Sequence, residues 1–218
     1  MSDLQIRSKP SRGRAAQREE TRSAILSAAT DLFAMHGYEG TAMPSVAAQA
    51  GVRSSLIFYH FATKLDLWKA CVDEVFANVR AFIGEREEAL GAQEGIAYFR
   101  SAVAIHIGAA AAVPAYHRIL FREGMHDSER LRWLIETHQR EMSDRIVAVV
   151  ERAQDEGVLP RTLDPMHLKF LTSGMFTLPI TLAPEYRILT GDDPLDPAFV
   201  DRHIEACLSI LMPPGSHA

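Results

Sequence analysis

Cysteine is almost missing from this chain: Cys71 and Cys207 are all that 218 residues contain. Two thiols that far apart do not make a disulfide framework. Both fall in apolar patterns of helical period, and no signal-peptide pattern opens the chain, so they read as reduced core thiols of a cytoplasmic protein. Long apolar runs are missing as well. None approaches the roughly 18 consecutive apolar residues of a membrane span, and the most apolar stretch, Ala102 to Val113, is Ala-rich and broken by His106. Strand-like alternation of useful length is absent and no segment repeats, which excludes a sheet and a repeat array. Metal-bundle motifs are short by one. Glu123 and His126 form an E-x-x-H pair, but a di-metal helical bundle needs two such pairs.

What is present is an ordinary globular composition, 47% apolar, long enough for one or two domains with a sizeable core. The charge is unevenly placed. Residues 1–65 hold eight Arg or Lys, at 7, 9, 12, 14, 18, 22, 53 and 64, against five acids, whereas the remainder holds 15 against 23. A basic N-terminal third on an acidic body suits a polyanionic partner at one end. Residues 1–13, with Pro10 and Gly13, read as a basic arm from which Arg7, Lys9 and Arg12, with Arg14 beyond, can reach a phosphate or a minor groove.

The chain is organised around Thr41 to Phe61, two short helical patterns joined at Ala50-Gly51-Val52. Helices under ten residues cannot each bury a face alone, so they must pack on each other and on a neighbour. Val46, Ala47 and Ala50 give the first an apolar stripe; Ile57, Phe58 and Phe61 give the second one; Val52 plugs the corner. Gly51 stands where the chain reverses and a left-handed residue costs least. The neighbour is a preceding helix that begins between Arg14 and Thr21, ends at Gly37, and buries Ile25, Ala28, Ala29, Leu32 and Phe33. Thr41 is placed to cap the second helix, to bond a phosphate, or both, with Pro44 in the first turn. Facing outward near the start of the third helix are Arg53, Ser54, Ser55 and Leu56, then Tyr59 and His60, a polar and aromatic surface on a rod that fits a major groove. Thr63 and Asp66 then have capping-box spacing and open a long helix, bracketed at its end by Gly84 and the 91–95 segment.

From Thr21 to Leu67 the chain resembles the DNA-binding domain of the tetracycline-repressor (TetR) family of bacterial transcription regulators. The resemblance is carried by Ile25-Leu26, Ala28-Ala29, Leu32-Phe33, Gly37-Tyr38, Thr41, Val46-Ala47, Ala50-Gly51-Val52, Ile57, Tyr59-His60-Phe61, Lys64 and Leu67. It implies an all-α fold of about nine helices: a three-helix helix-turn-helix head over 14–63 and a helical ligand-binding and dimerisation body over 64–218. It also implies that Thr41, Arg53, Ser54, Ser55, Leu56, Tyr59, His60 and Lys64 meet DNA. Four positions depart from the family pattern. Arg53 replaces a serine and moves the cap to Ser54, Ser55 replaces a common glycine, Leu56 a common threonine and Phe58 a common tyrosine.

Beyond the head, helical segments are expected at about 94–112, 114–123, 128–155, 164–182 and 197–212. The resemblance makes the middle ones a ligand pocket, with Phe99, His106, Tyr116, Leu120, Phe121, His138, Phe170 and Phe176 as its wall. The last two are apolar nearly all round, as expected of a four-helix homodimer interface. The whole then reads as a ligand-responsive repressor that binds a palindromic operator as a homodimer and is released by a small-molecule effector. No enzymatic activity, cofactor or membrane partner is implied. Two rival readings are a helical-bundle metalloenzyme built on Glu123, His126 and His138, and a degenerate family member acting as a protein-interaction module.

Overall fold

The computed structural model describes residues 12–212, which are helical throughout and contain no strand. The basic arm lies outside the described residues except for its last two, which begin the first helix. The chain forms two compact units that divide between Cys71 and Val72.

The N-terminal unit is built from α1 (Arg12–Gly40), α2 (Met43–Gln49), α3 (Ser54–His60) and the start of α4 (Lys64–Glu87). Gly37, at φ 72°, interrupts α1 near its end, in keeping with the stop signal in the sequence. Ile25, Leu26, Ala28, Ala29 and Phe33 are buried, as are Val46 and Ala47 of α2, Ile57 of α3, and Leu67, Trp68 and Cys71 of α4. Gly51 takes φ 67° between α2 and α3, where a side chain would be strained. Thr63 opens α4 as expected: its hydroxyl accepts the Asp66 N–H at 3.0 Å and donates to the Asp66 carboxylate at 2.8 Å. Two expectations fail here. Phe58 is 52% exposed rather than part of the buried stripe, because one residue beyond Ile57 turns about 100° around the helix. Ser54 does not cap α3; Arg53 holds the cap position in extended backbone and makes no side-chain cap bond.

The C-terminal unit contains the rest of α4, then α5 (Gly95–Ala112), α6 (Pro114–Gly124), α7 (Glu129–Leu134), α8 (Arg140–Asp155), α9 (Pro165–Thr181), α10 (Ala183–Thr190) and α11 (Pro197–Leu211). Starts are sharply signalled. Pro114, Pro165 and Pro197 sit in first turns, and Ser128, Asp164 and Asp196 accept backbone N–H bonds as caps. The expected 128–155 helix is present but passes through a π-helical turn at Ile135–Gln139. α10 is not among the expected segments. α5 is the central helix, packed by α6, α8, α9 and α11. Phe99, Val103, Ile107 and Ala110 of α5 join Val150, Leu168, Phe176, Ile180 and Leu208 in one core. By length and composition alone α5 could cross a membrane, but it carries this core on one side and Arg100, bidentate with Glu205 at 2.7 and 2.8 Å, on another.

Candidate functional site

Two sites emerge, one in each unit. In the head, packing Ile57 inward turns the rest of α3 out: Arg53, Ser54, Ser55 and Leu56 are exposed, and Tyr59 is 64% exposed. Tyr59 and His60 stand ring edge to ring face at 5.2 Å. Arg18 of α1 lies 5.4 Å over the Tyr59 ring, and Arg22, one turn on, lies 5.4 Å over Phe61. Lys64 places its ammonium 4.5 Å over Tyr38. Partial burial lowers the His60 pKa, and the fields of Arg18 and Arg22 lower it further against a smaller opposing effect of Glu19. The face is therefore cationic and aromatic, and its histidine favours the neutral form.

Thr41 needs correction. It is buried at 2% exposure, and its hydroxyl donates to the Gly37 carbonyl at 2.8 Å. It neither caps α2, whose cap position is Ala42 with no side-chain bond, nor presents a hydroxyl to a phosphate. Its role is to close the kink at Gly37. Sequence reasoning missed Arg18 and Arg22 as members of this face. The signal was their four-residue spacing, which puts both on one side of α1.

In the body, residues of α4, α5, α6, α8 and α9 line a half-open cavity of about 110 Å³. Of the expected wall, Phe99, His106, Tyr116 and Phe176 line it. The other four do not. Phe170 is 66% exposed, because six residues before Phe176 is a different face of α9. Phe121 is also exposed, and Leu120 is half-buried outside the wall. His138 is buried, but its Nε2 donates to Asp73 at 2.8 Å and its ring stacks on Phe76 at 4.8 Å. His117, left out of the expected wall, lies in it.

The cavity's polar atoms are mostly committed. Tyr116 donates to Gln139 at 2.8 Å, and burial pushes its pKa up to about 12 although that bond partly opposes the shift. Thr172 donates to the Leu168 carbonyl at 2.8 Å, and Arg145 is paired with Glu87. Two atoms stand out: His106 Nε2 and His117 Nδ1 are buried without a hydrogen-bond partner. Their rings are 6.0 Å apart. Burial lowers the His106 pKa to about 4, with Lys169 adding to the effect, and burial lowers that of His117 to about 3, with His106 adding to it. Both rings are neutral at physiological pH.

The residues of the metalloenzyme reading are not brought together. Glu123 is buried against Arg130, whose Nε donates to it at 3.2 Å; His126 is exposed; His138 is held by Asp73. Among the described residues no group of three or more His, Cys, Asp or Glu side chains is placed to hold a metal ion.

Comparison with known proteins matches both units. A family model described as bacterial regulatory proteins of the tetR family matches residues 25–71, and one described as a tetracyclin repressor-like C-terminal domain matches residues 97–210. The HTH-type transcriptional repressor Rv3405c of Mycobacterium tuberculosis is 47% identical over 58 residues, 27% of this chain and 31% of that one. The match thus spans about a third of that relative's length. The HTH-type transcriptional repressor SCO4008 of Streptomyces coelicolor is 26% identical over 181 residues, 79% of this chain and 85% of that one. The crystal structure of SCO3833, a TetR-family member from Streptomyces coelicolor, shares the fold with a TM-score of 0.66 at 22% identity, covering 86% of this chain and 89% of that one. With the second family model alone spanning more than half of the sequence, the chain belongs to the tetR family of bacterial transcriptional regulators.

Proposed function

We propose that the chain is a cytoplasmic, non-enzymatic transcriptional repressor that binds operator DNA as a homodimer and lets go when a small molecule fills the body cavity. The observation that carries the DNA reading is the outward face of α3: Arg53, Ser54, Ser55, Leu56, Tyr59 and His60 around a single buried anchor, Ile57. Serines and Arg53 offer donors to base edges and phosphates, Leu56 offers apolar contact to a thymine methyl, and Lys64, Arg18 and Arg22 add charge against the backbone. The repressors SCO4008 and Rv3405c support the sign of regulation.

Dimerisation is supported by apolar surface left over after the body's core is made. On α9, Phe170, Leu171 and Leu178 are exposed, as is Leu182 at its junction with α10, and Ile188 and Leu189 of α10 are 85% and 75% exposed. Exposed apolar side chains in this number mark a candidate interaction surface, and a two-fold pair would place two heads about 34–36 Å apart, one helical turn of DNA. The effector reading is supported by α4, whose Val79, Ile83 and Glu87 line the cavity. A molecule that prefers a different position of this helix shifts the regulator away from its DNA-binding form.

The test is selection from a random duplex pool followed by gel shift. The reading expects a palindromic consensus, two chains per duplex, and affinity that falls steeply with salt. Recovery of unrelated fragments with no shared half-site would leave the interaction-module reading in its place.

A further inference from the structure

The cavity wall is aliphatic and aromatic apart from the paired Arg145 and Glu87, Thr172, and the place where His106 and His117 meet. Exposure of His117 is only 7%, its Nδ1 has no partner, and the same holds for His106 Nε2. A buried polar atom without a partner is costly, on the order of 1–3 kcal/mol, so this pair marks the place where a ligand's polar group belongs. The internal space of about 110 Å³ is somewhat less than the roughly 150 Å³ apolar cavity that admits benzene, and its open side leaves room for a single ring. Aromatic neighbours complete it: Phe176 lies 5.5 Å from the His106 ring and Tyr116 lies 4.5 Å from the His117 ring.

The chemistry of the polar group follows from the charge of the wall. Arg145 is the cation in the wall, and its partner Glu87 lies there too, so the two cancel. Lys169 of α9 turns its ammonium onto the ring of exposed Phe170, 4.1 Å away, rather than into the cavity. Among the lining residues an anion therefore meets no unpaired cation, although buried Lys169 lies near enough to lower the His106 pKa, so benzoate is the probe that tests that cation. A neutral imidazole carries one N–H and one lone pair, so two of them can present one donor and one acceptor at once. A hydroxyl group is the complement of that pair, being donor and acceptor in one atom. Resting on the reading of this cavity as the effector site, we propose that His106 and His117 recognise the hydroxyl of an uncharged, ring-sized hydrophobic molecule, a phenol or a cyclic alcohol.

The experiment is calorimetric titration of the full-length protein at neutral pH with three probes of one size: p-cresol, toluene and benzoate. The expected result is binding of p-cresol about ten-fold tighter than toluene, the worth of one net hydrogen bond, and no binding of benzoate. In His117→Phe and His106→Phe the p-cresol preference should fall to near one while toluene still binds, a readout that also shows the variants folded. Equal binding of p-cresol and toluene by the wild type would overturn the hydroxyl assignment and leave the cavity as a ligand site. Tighter binding of benzoate than of p-cresol would overturn it in favour of an anionic effector. No binding of any probe would overturn both the assignment and the cavity's role as a site for molecules of this size. Gel shift with p-cresol present separates recognition from switching, because release of DNA is not needed for the binding result.

Discussion

Burial of His106 and His117 makes the stability of the body depend on pH. An unfolded histidine takes up its proton as pH falls through about 6.5, whereas these two remain neutral until about 4 and 3. Between those values the unfolded chain binds more protons, so stability rises with pH and is lost as pH falls below 6.5. Each histidine contributes a slope of about 1.4 kcal/mol per pH unit at full effect. Chemical denaturation of wild type and His117→Phe from pH 7 to pH 4.5 checks this: the variant should lose less stability on acidification, and parallel curves would contradict it. Thr41 shows how a single residue can mislead. A hydroxyl before a helix is a fair cap, and only the left-handed Gly37 upstream, which offers a carbonyl 2.8 Å away, explains why it is buried instead.

Among the elements, the helix starts were legible and the surfaces were not. Proline in a first turn and an Asp or Ser before it are local signals, so α6, α7, α9 and α11 begin where the sequence places them. α10 escaped notice because it buries almost nothing; Ala183 is its buried residue, and Ile188 and Leu189 face outward, so no periodic stripe announces it. The cavity wall was half legible for the same reason. Aromatic residues can be picked from sequence, but whether Phe176 or Phe170 points inward depends on how α9 rotates against α5. The π-helical turn at Ile135–Gln139 leaves no mark in composition, yet it aims two adjacent residues at separate partners: His138 at Asp73 of α4, and Gln139 at Tyr116 of the cavity wall. Phe76 of α4 touches both Tyr116 and His138, with ring centroids 4.9 and 4.8 Å apart. This turn thus adds a second connection between the cavity wall and α4, whose Val79, Ile83 and Glu87 already line the cavity. His138→Asn should leave ligand binding within about two-fold and weaken the ligand's effect on DNA affinity by roughly ten-fold, the size of a coupling energy near 1.4 kcal/mol. Unchanged coupling in paired titrations would remove the turn from the relay. In the head, Ile57 is the anchor of α3, and Ile57→Ala should cost about 2–5 kcal/mol, seen as a lower unfolding midpoint of a 12–71 fragment or of the whole chain.

On the proposed function, the whole molecule pairs two reading heads through an apolar seam and couples them to a ligand-responsive body. The seam is open to a direct check. Ile188→Glu with Leu189→Glu adds charge to surface that is already exposed, so the monomer should fold unchanged while light scattering shows the mass fall from that of two chains to that of one. A mass of two chains in the variant would place the interface elsewhere. The uneven charge suits the proposed duplex partner: residues 1–65 hold eight Arg or Lys against five acids and the rest 15 against 23, so a polyanion is favoured at the first and disfavoured at the second. The central claim is that the outward face of α3 reads duplex DNA, and fluorescence anisotropy with the selected operator tests it most directly. Wild type should bind with salt-dependent affinity and a stoichiometry of two chains per site, and Tyr59→Ala, which removes an exposed ring and alters no core contact, should bind at least ten-fold more weakly with an unchanged unfolding midpoint. Equal affinity in Tyr59→Ala and in Arg53→Ala would contradict the account.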